Sequence, residues 1–182
     1  DRRGPGVGDV DLSALVIGLG DGEGFAVEVV GPPSATRRAV DAVLSAAEPE
    51  GVLVGHGGVT GSIRPIASVM AAIDELVTRR PGLLDVVPAP CLTELERVGA
   101  GAAPSSPARL LVSVRELLRA AALEGGVVLV VEDVHLIDGL TVDLVRHVAR
   151  TTRRAPIGLV VTHVVGLTIG DELRTAVVGP AG

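Results

Sequence analysis

The run VVLVVEDVHLID, from Val127 to Asp138, decides the fold. Its first five residues are apolar without a break, which is the pattern of a strand covered on both faces. Strands of that kind belong to parallel sheets, and parallel neighbours need helical crossovers between them. GVLVG (Gly51 to Gly55) and IGLVVT (Ile157 to Thr162) are short apolar runs of the same type.

Helical spacing fills the gaps between these runs. Thr36 to Ala47 places Ala39, Val40, Val43, Leu44 and Ala47 on one face, and Ser62 to Arg80 does the same with Ile66, Val69, Met70, Ile73, Leu76 and Val77. Ser106-Pro107 is a helix start, followed by Leu110, Leu111, Val114, Leu117, Leu118 and Ala121, and Gly125-Gly126 is its stop. Asp138 to Thr152 is helical through Leu140, Leu144, Val145 and Val148. Strands alternating with helices predict an α/β domain with a parallel sheet.

Other stretches are read from composition. LSALVI (Leu12 to Ile17) and FAVEVV (Phe25 to Val30), separated by the turn-rich GLGDGEG, predict an N-terminal β-hairpin over residues 1–31, ahead of the α/β domain of residues 32–182. LLDVV (Leu83 to Val87) reads as a further strand. PAPCLTELERVGAGAAPSSP reads as a surface excursion, and Asp171 to Val178 as a short helix or strand.

Composition narrows the function. The 182 residues are 47% apolar and 21% charged, with no apolar run near membrane length, so the expectation is a soluble globular domain. All 16 basic residues are arginine, and Phe25 is the sole aromatic. Lysine-amine chemistry and base-stacking platforms are therefore excluded. With a net charge of -6, a strongly basic nucleic-acid face is not expected either. The single cysteine, Cys91, fits a reducing cytoplasm. The chain starts at Asp1 and shows no charged-then-apolar leader, which fits a segment of a longer protein.

Two stretches carry chemistry. VLVGHGGVTGSIR is a strand, a glycine-rich turn and a helix start, an arrangement that aims backbone N–H groups at an anion. Against G-x-x-x-x-G-K-[ST], Gly55, Gly57, Gly58 and Ser62 fit their places, while Thr60 and Gly61 stand where the last glycine and the lysine belong. The second stretch ends the Val127 strand in Glu132 and Asp133, at the edge where α/β proteins bind ligands. One carboxylate can hold magnesium and the other can orient a water.

In order and spacing, the two stretches resemble the STAND-type, AAA-like P-loop ATPase domain of large LuxR-type transcriptional regulators. EGVLVGHGGVTGSIRPI is similar to its Walker A region. VVLVVEDVHLIDGLTVDLVRHVARTTRRAPIGLVVTHV is similar to the run from Walker B to the sensor strand, keeping Glu132, Asp133, His135, Asp138, the helical D-L-V-R at Asp143 to Arg146 and Thr162. VVGPPSATRRAVDAVLSAA resembles the segment that opens the domain.

The resemblance implies a P-loop NTPase-like parallel sheet flanked by helices, ending before the helical lid, and ATP with Mg2+ as cofactors. It puts Gly55, Gly57, Gly58, Gly61, Ser62 and Arg64 around the nucleotide, Ser62 and Glu132 on the metal, Asp133 on the attacking water and Thr162 at the sensor place. It also implies a cytoplasmic, signal-transducing module whose partners are nucleotide and other domains or proteins, with no membrane and no direct nucleic-acid contact. Gly61 for lysine, Leu136 for tryptophan and Val164 for arginine depart from the pattern. Losing two cations beside a triphosphate weakens binding and catalysis, so hydrolysis is expected to be weak or absent.

Three functional classes follow: an ATP-binding switch, a pseudo-ATPase interaction module without nucleotide, and a dinucleotide oxidoreductase. The last rests on GLGDGEG alone and needs a helix after Gly24. His56, His135, His147 and His163 lack metal-ligand spacing with Cys91 and read as structural.

Overall fold

A computed structural model describes residues 10–58, 66–132, 139–163 and 173–177. Their elements run α1 (Leu12–Gly18), β1 (Phe25–Val30), α2 (Pro33–Ala47), β2 (Leu53–Gly57), α3 (Ala67–Arg79), α4 (Ala89–Gly99), α5 (Pro107–Ala122), β3 (Val127–Val131), α6 (Gly139–Thr152), β4 (Ile157–His163) and β5 (Arg174–Val177). The strands form one five-stranded sheet in the order β2-β3-β4-β1-β5. Every pairing in it is parallel.

Helices cover both faces of the sheet. Leu12, Val16 and Leu19 pack with Ala39, Val40 and Val43 of α2 against Val27, Val29, Val54, Val128, Val130 and Val160. The opposite face buries Leu129, Val131, Leu159 and Val161 beneath side chains of α3, α5 and α6, with α4 packed on α5. β3 is buried at all five positions, as its uninterrupted apolar run requires.

α3 sits unusually close to β2. A Cβ on Gly57 would lie 1.8 Å from the Ser68 carbonyl oxygen, and one on Gly55 would lie 2.3 Å from that of Ala72. Both glycines therefore serve strand–helix contact.

Several sequence expectations need correction. The N-terminal hairpin is not formed: Leu12–Gly18 is a helix, capped by Asp11, whose side chain accepts the Ala14 N–H at 3.0 Å. Phe25–Val30, in turn, is an interior parallel strand between β4 and β5. Leu12, Val16 and Leu19 recur at four- and three-residue steps, so a helix buries them together where a strand would split them.

LLDVV is not a strand but lies within a 3-10 turn, Pro81–Val86, followed by Val87. Only Leu83 and Val87 of that run are buried, and Val86 is exposed. The expected surface excursion contains α4, because Cys91, Leu95 and Val98 share a buried face and Pro88 and Pro90 fall at or before its first turn. Glu94, also buried, accepts the Ser105 N–H at 2.7 Å and its hydroxyl at 2.6 Å, tying the next loop to α4. The oxidoreductase reading loses its requirement, since a strand and not a helix follows Gly24.

Among the described residues, the interior also holds an ionisable pair. Glu28 on β1 and His163 at the end of β4, both 1% exposed, join Oε1 to Nε2. Strand alternation puts Glu28 with Ala26, and His163 with Leu159 and Val161, on the α3–α6 face.

Gly57→Ala is expected to cost about 3 kcal/mol in a urea unfolding experiment, because backbone must move to admit the methyl. Gly58→Ala, whose Cβ would stand 3.8 Å from that of Glu132, should stay within about 0.5 kcal/mol of the parent. His163→Leu should cost about 1–3 kcal/mol, because it removes the imidazole that Oε1 of the buried Glu28 contacts. A double-mutant cycle with Glu28→Leu should return a coupling of about 1–3 kcal/mol.

Candidate functional site

The site lies along the carboxyl edge of the sheet, where the strands end at Val30, Gly57, Val131, His163 and Val177. From β1 the chain crosses by α2 to the far edge at β2, then returns through β3 to β4 with its helices on the opposite face. The exit of β1 thus turns to one face while those of β2 and β3 turn to the other. Crevices at such reversals are where open α/β sheets hold ligands.

Glu132 continues β3 at this edge. Its N–H donates to the Gly57 carbonyl at 2.9 Å, which extends the β2–β3 ladder by one step. Its carboxylate Oε1 pairs with His56 Nε2 on β2. The pair is half-buried and lies on the α1/α2 face, as alternation from Val54 and Val130 requires. His56 is fixed from behind as well. Its backbone N–H donates to Glu75 Oε2 at 2.7 Å, and Glu75 Oε1 accepts from Arg79 at 2.6 Å. That contact covers a polar group on an edge strand, which otherwise invites pairing with another chain.

The sequence-derived site residues fall into separate places. Gly55 and Gly57 lie within β2, opposite Leu129 and Val131, and Gly58 follows beside Glu132. Thr162 is buried in β4 opposite Val29, one residue before the strand ends. Gly61, Ser62, Arg64 and Asp133 lie outside the described residues. So do Asp138 and His135. Glu132 and Gly58 are thus brought together, while Thr162 stands on the next strand but one from β2.

The junction into α3 is strained. Ile66, buried, takes φ 56° immediately before the helix. For a β-branched residue that left-handed conformation costs on the order of 1–3 kcal/mol. Its N–H donates to Thr141 Oγ1 on α6 at 3.2 Å, so the entry to α3 is tied to the first turn after the acidic segment.

A second glycine-led turn follows β1, an interior strand between β4 and β5. Gly31-Pro32 joins β1 to α2 in two residues, and Gly31 donates its N–H to the His163 carbonyl at 3.2 Å. In GPPSATRR, Gly31, Thr36, Arg37 and Arg38 take the spacing of G-x-x-x-x-G-K-[ST], with Arg37 at the lysine place. An arginine six residues after a glycine, in a chain without lysine, was the available signal. It is masked by the richer glycine content of the Gly55–Ser62 stretch. The backbone here is wound into helix: Pro32 and Pro33 carry no N–H, and those of Ala35 and Thr36 donate to the Pro32 carbonyl at 2.9 and 3.1 Å.

Cys91 and Arg80 have local roles. Cys91 is buried on α4. Arg80 donates to the Ala121 carbonyl at 2.9 Å, satisfying the end of α5, a neighbouring helix. Among the described residues no cluster of three His, Cys, Asp or Glu side chains is placed to hold a metal ion. Nor is any described helix long and apolar enough to cross a membrane. No protein-family model matches the chain, and no curated protein matches it significantly.

His147 on α6 has a buried Nε2 without a hydrogen-bond partner. Burial, then the charges of Arg115 and Arg150, lower its pKa from 6.5. Above pH 6.5 the ring is neutral in both states and its contribution is complete. As pH falls below that value the unfolded chain takes the proton first, so stability is lost until the folded ring protonates too. Denaturant unfolding at pH values of about 7.5 and 5.5 is expected to show a larger loss in the parent than in His147→Leu. Equal losses would rule out His147 as a contributor.

Proposed function

We propose that the chain is the ATPase-like regulatory domain of a LuxR-type regulator, a cytoplasmic signal-transducing module that takes ATP with magnesium and hydrolyses it weakly or not at all. The observation that supports this best is Glu132. A carboxylate continues a fully buried strand onto the carboxyl edge of the sheet, the edge at which the crossovers reverse. On this reading Glu132 approaches the metal. Asp133 acts on water, and Thr162 takes the sensor place.

Two stretches then compete for the phosphates. The resemblance favours Gly55, Gly57, Gly58, Gly61, Ser62 and Arg64, whereas the topology favours the interior β1–α2 turn with Arg37. A titration with labelled ATP and magnesium is expected to saturate, and Glu132→Gln should weaken it. Absence of binding at millimolar nucleotide would sink the proposal. Gly61→Lys should tighten binding if the phosphates lie over β2, and Arg37→Ala should weaken it if they lie over β1.

A second reading, a pseudo-ATPase that serves only protein interaction, is favoured by the β1–α2 turn itself. Two prolines and a first turn already closed on Pro32 leave few backbone N–H groups to face an anion. Binding of partner protein that is unchanged by nucleotide would support that reading.

A further inference from the structure

We propose that the outer surface of α5 and α6 docks an acidic, partly apolar polypeptide segment of a partner protein. The inference is independent of the nucleotide reading, because it uses none of the residues placed at the carboxyl edge. α5 and α6 pack side by side and turn Leu110, Val114, Leu117, Leu144 and Val148 inward. What remains outward is basic. Arg115 and Arg119 stand one turn apart on α5, and Arg146 and Arg150 one turn apart on α6. Against these four guanidinium groups stand the carboxylates of Glu116 and Asp143, which leaves the surface cationic in a chain whose net charge is -6. An acidic partner is the complement of such a surface.

The two stripes converge on His147. Arg115 from α5 and Arg150 from α6 both act on its ring, whose Nε2 is buried and makes no hydrogen bond among the described residues. Glu28 and His163, on the strands beneath α6, are paired with each other. A buried polar atom is ordinarily partnered, and a carboxylate held by Arg115 and Arg150 brings an acceptor to this one. The surface is also partly arranged in advance. Glu116 Oε1 accepts from Arg115 Nε at 3.0 Å and stands 3.7 Å from the Arg119 guanidinium, so some ordering of these long side chains precedes docking. Val112, exposed one turn before Arg115, adds an apolar contact to the same stripe. A polypeptide can set its carboxylates to avoid Glu116 and Asp143 and still cover Val112. The unbroken charge of a nucleic-acid backbone can do neither.

The test is fluorescence anisotropy of a labelled amphipathic peptide built from Glu, Leu and Ala, titrated with the full chain. Binding is expected to saturate with the parent and to weaken about tenfold in Arg115→Gln/Arg150→Gln. Arg119→Gln/Arg146→Gln should weaken it as well, and covers the case in which the first variant fails to fold. Arg79→Gln/Arg97→Gln, which removes the same charge from α3 and α4, should leave it nearly unchanged. On saturation the pKa of His147, followed by NMR, should rise, because a carboxylate beside the ring favours its protonated form. Equal binding by the parent and both α5–α6 variants overturns the proposal, as does an equal loss in the α3–α4 control. An unmoved His147 pKa, or no binding at millimolar peptide, overturns it too. Tighter binding of a DNA duplex would reassign the surface to nucleic acid, and self-association that Arg115→Gln/Arg150→Gln abolishes would reassign it to a second copy; either result overturns the acidic partner.

Discussion

A parallel sheet satisfies its backbone only along its ladders, and both of its faces must be kept from water. The rest of this molecule follows from that requirement. β3 and β4 are buried along their whole length, so helices have to lie on both sides. α1 and α2 cover one face, while α3, α5 and α6 cover the other. Close coverage at the β2 edge depends on Gly55 and Gly57, where α3 approaches nearer than any side chain allows.

Burial on both faces also explains where polar chemistry resides. Within the sheet an ionisable group persists only with a partner, and Glu28 finds one in His163 across the β1–β4 ladder. At the carboxyl edge the ladders stop, and Glu132 and His56 meet in a half-buried position where water still reaches them. The first pair keeps a buried carboxylate partnered inside the sheet. The second lies at the rim of the core, with both side chains partly exposed.

Much of the architecture is legible from local pattern. β3, β4 and the helices α2, α3, α5 and α6 follow from uninterrupted apolar runs or from apolar residues at helical spacing. α1 is misread because a six-residue apolar stretch suits either a strand or a helix, and only the Asp11 cap and the four-residue step from Leu12 to Val16 distinguish them. α4 is hidden by its prolines and by Gly and Ala on its C-terminal side, although Cys91, Leu95 and Val98 carry its buried stripe. Glu132 stands out because it ends the most apolar run. His56 does not, since nothing in its neighbours along the chain indicates a carboxylate partner.

The sequence by itself determined that strands alternate with helices in a parallel α/β domain, and that a carboxylate closes the central apolar strand. Those properties depend on which residues repeat on one side of a short segment, and the repeat is a local quantity. Only the tertiary structure decided that β1 is an interior strand, that the Gly31 turn lies at the reversal of the crossovers, and that Glu132 meets His56 on the neighbouring strand. Strand order and register are set by hydrogen bonds between segments distant in the chain, and composition and periodicity carry no record of which segments those are.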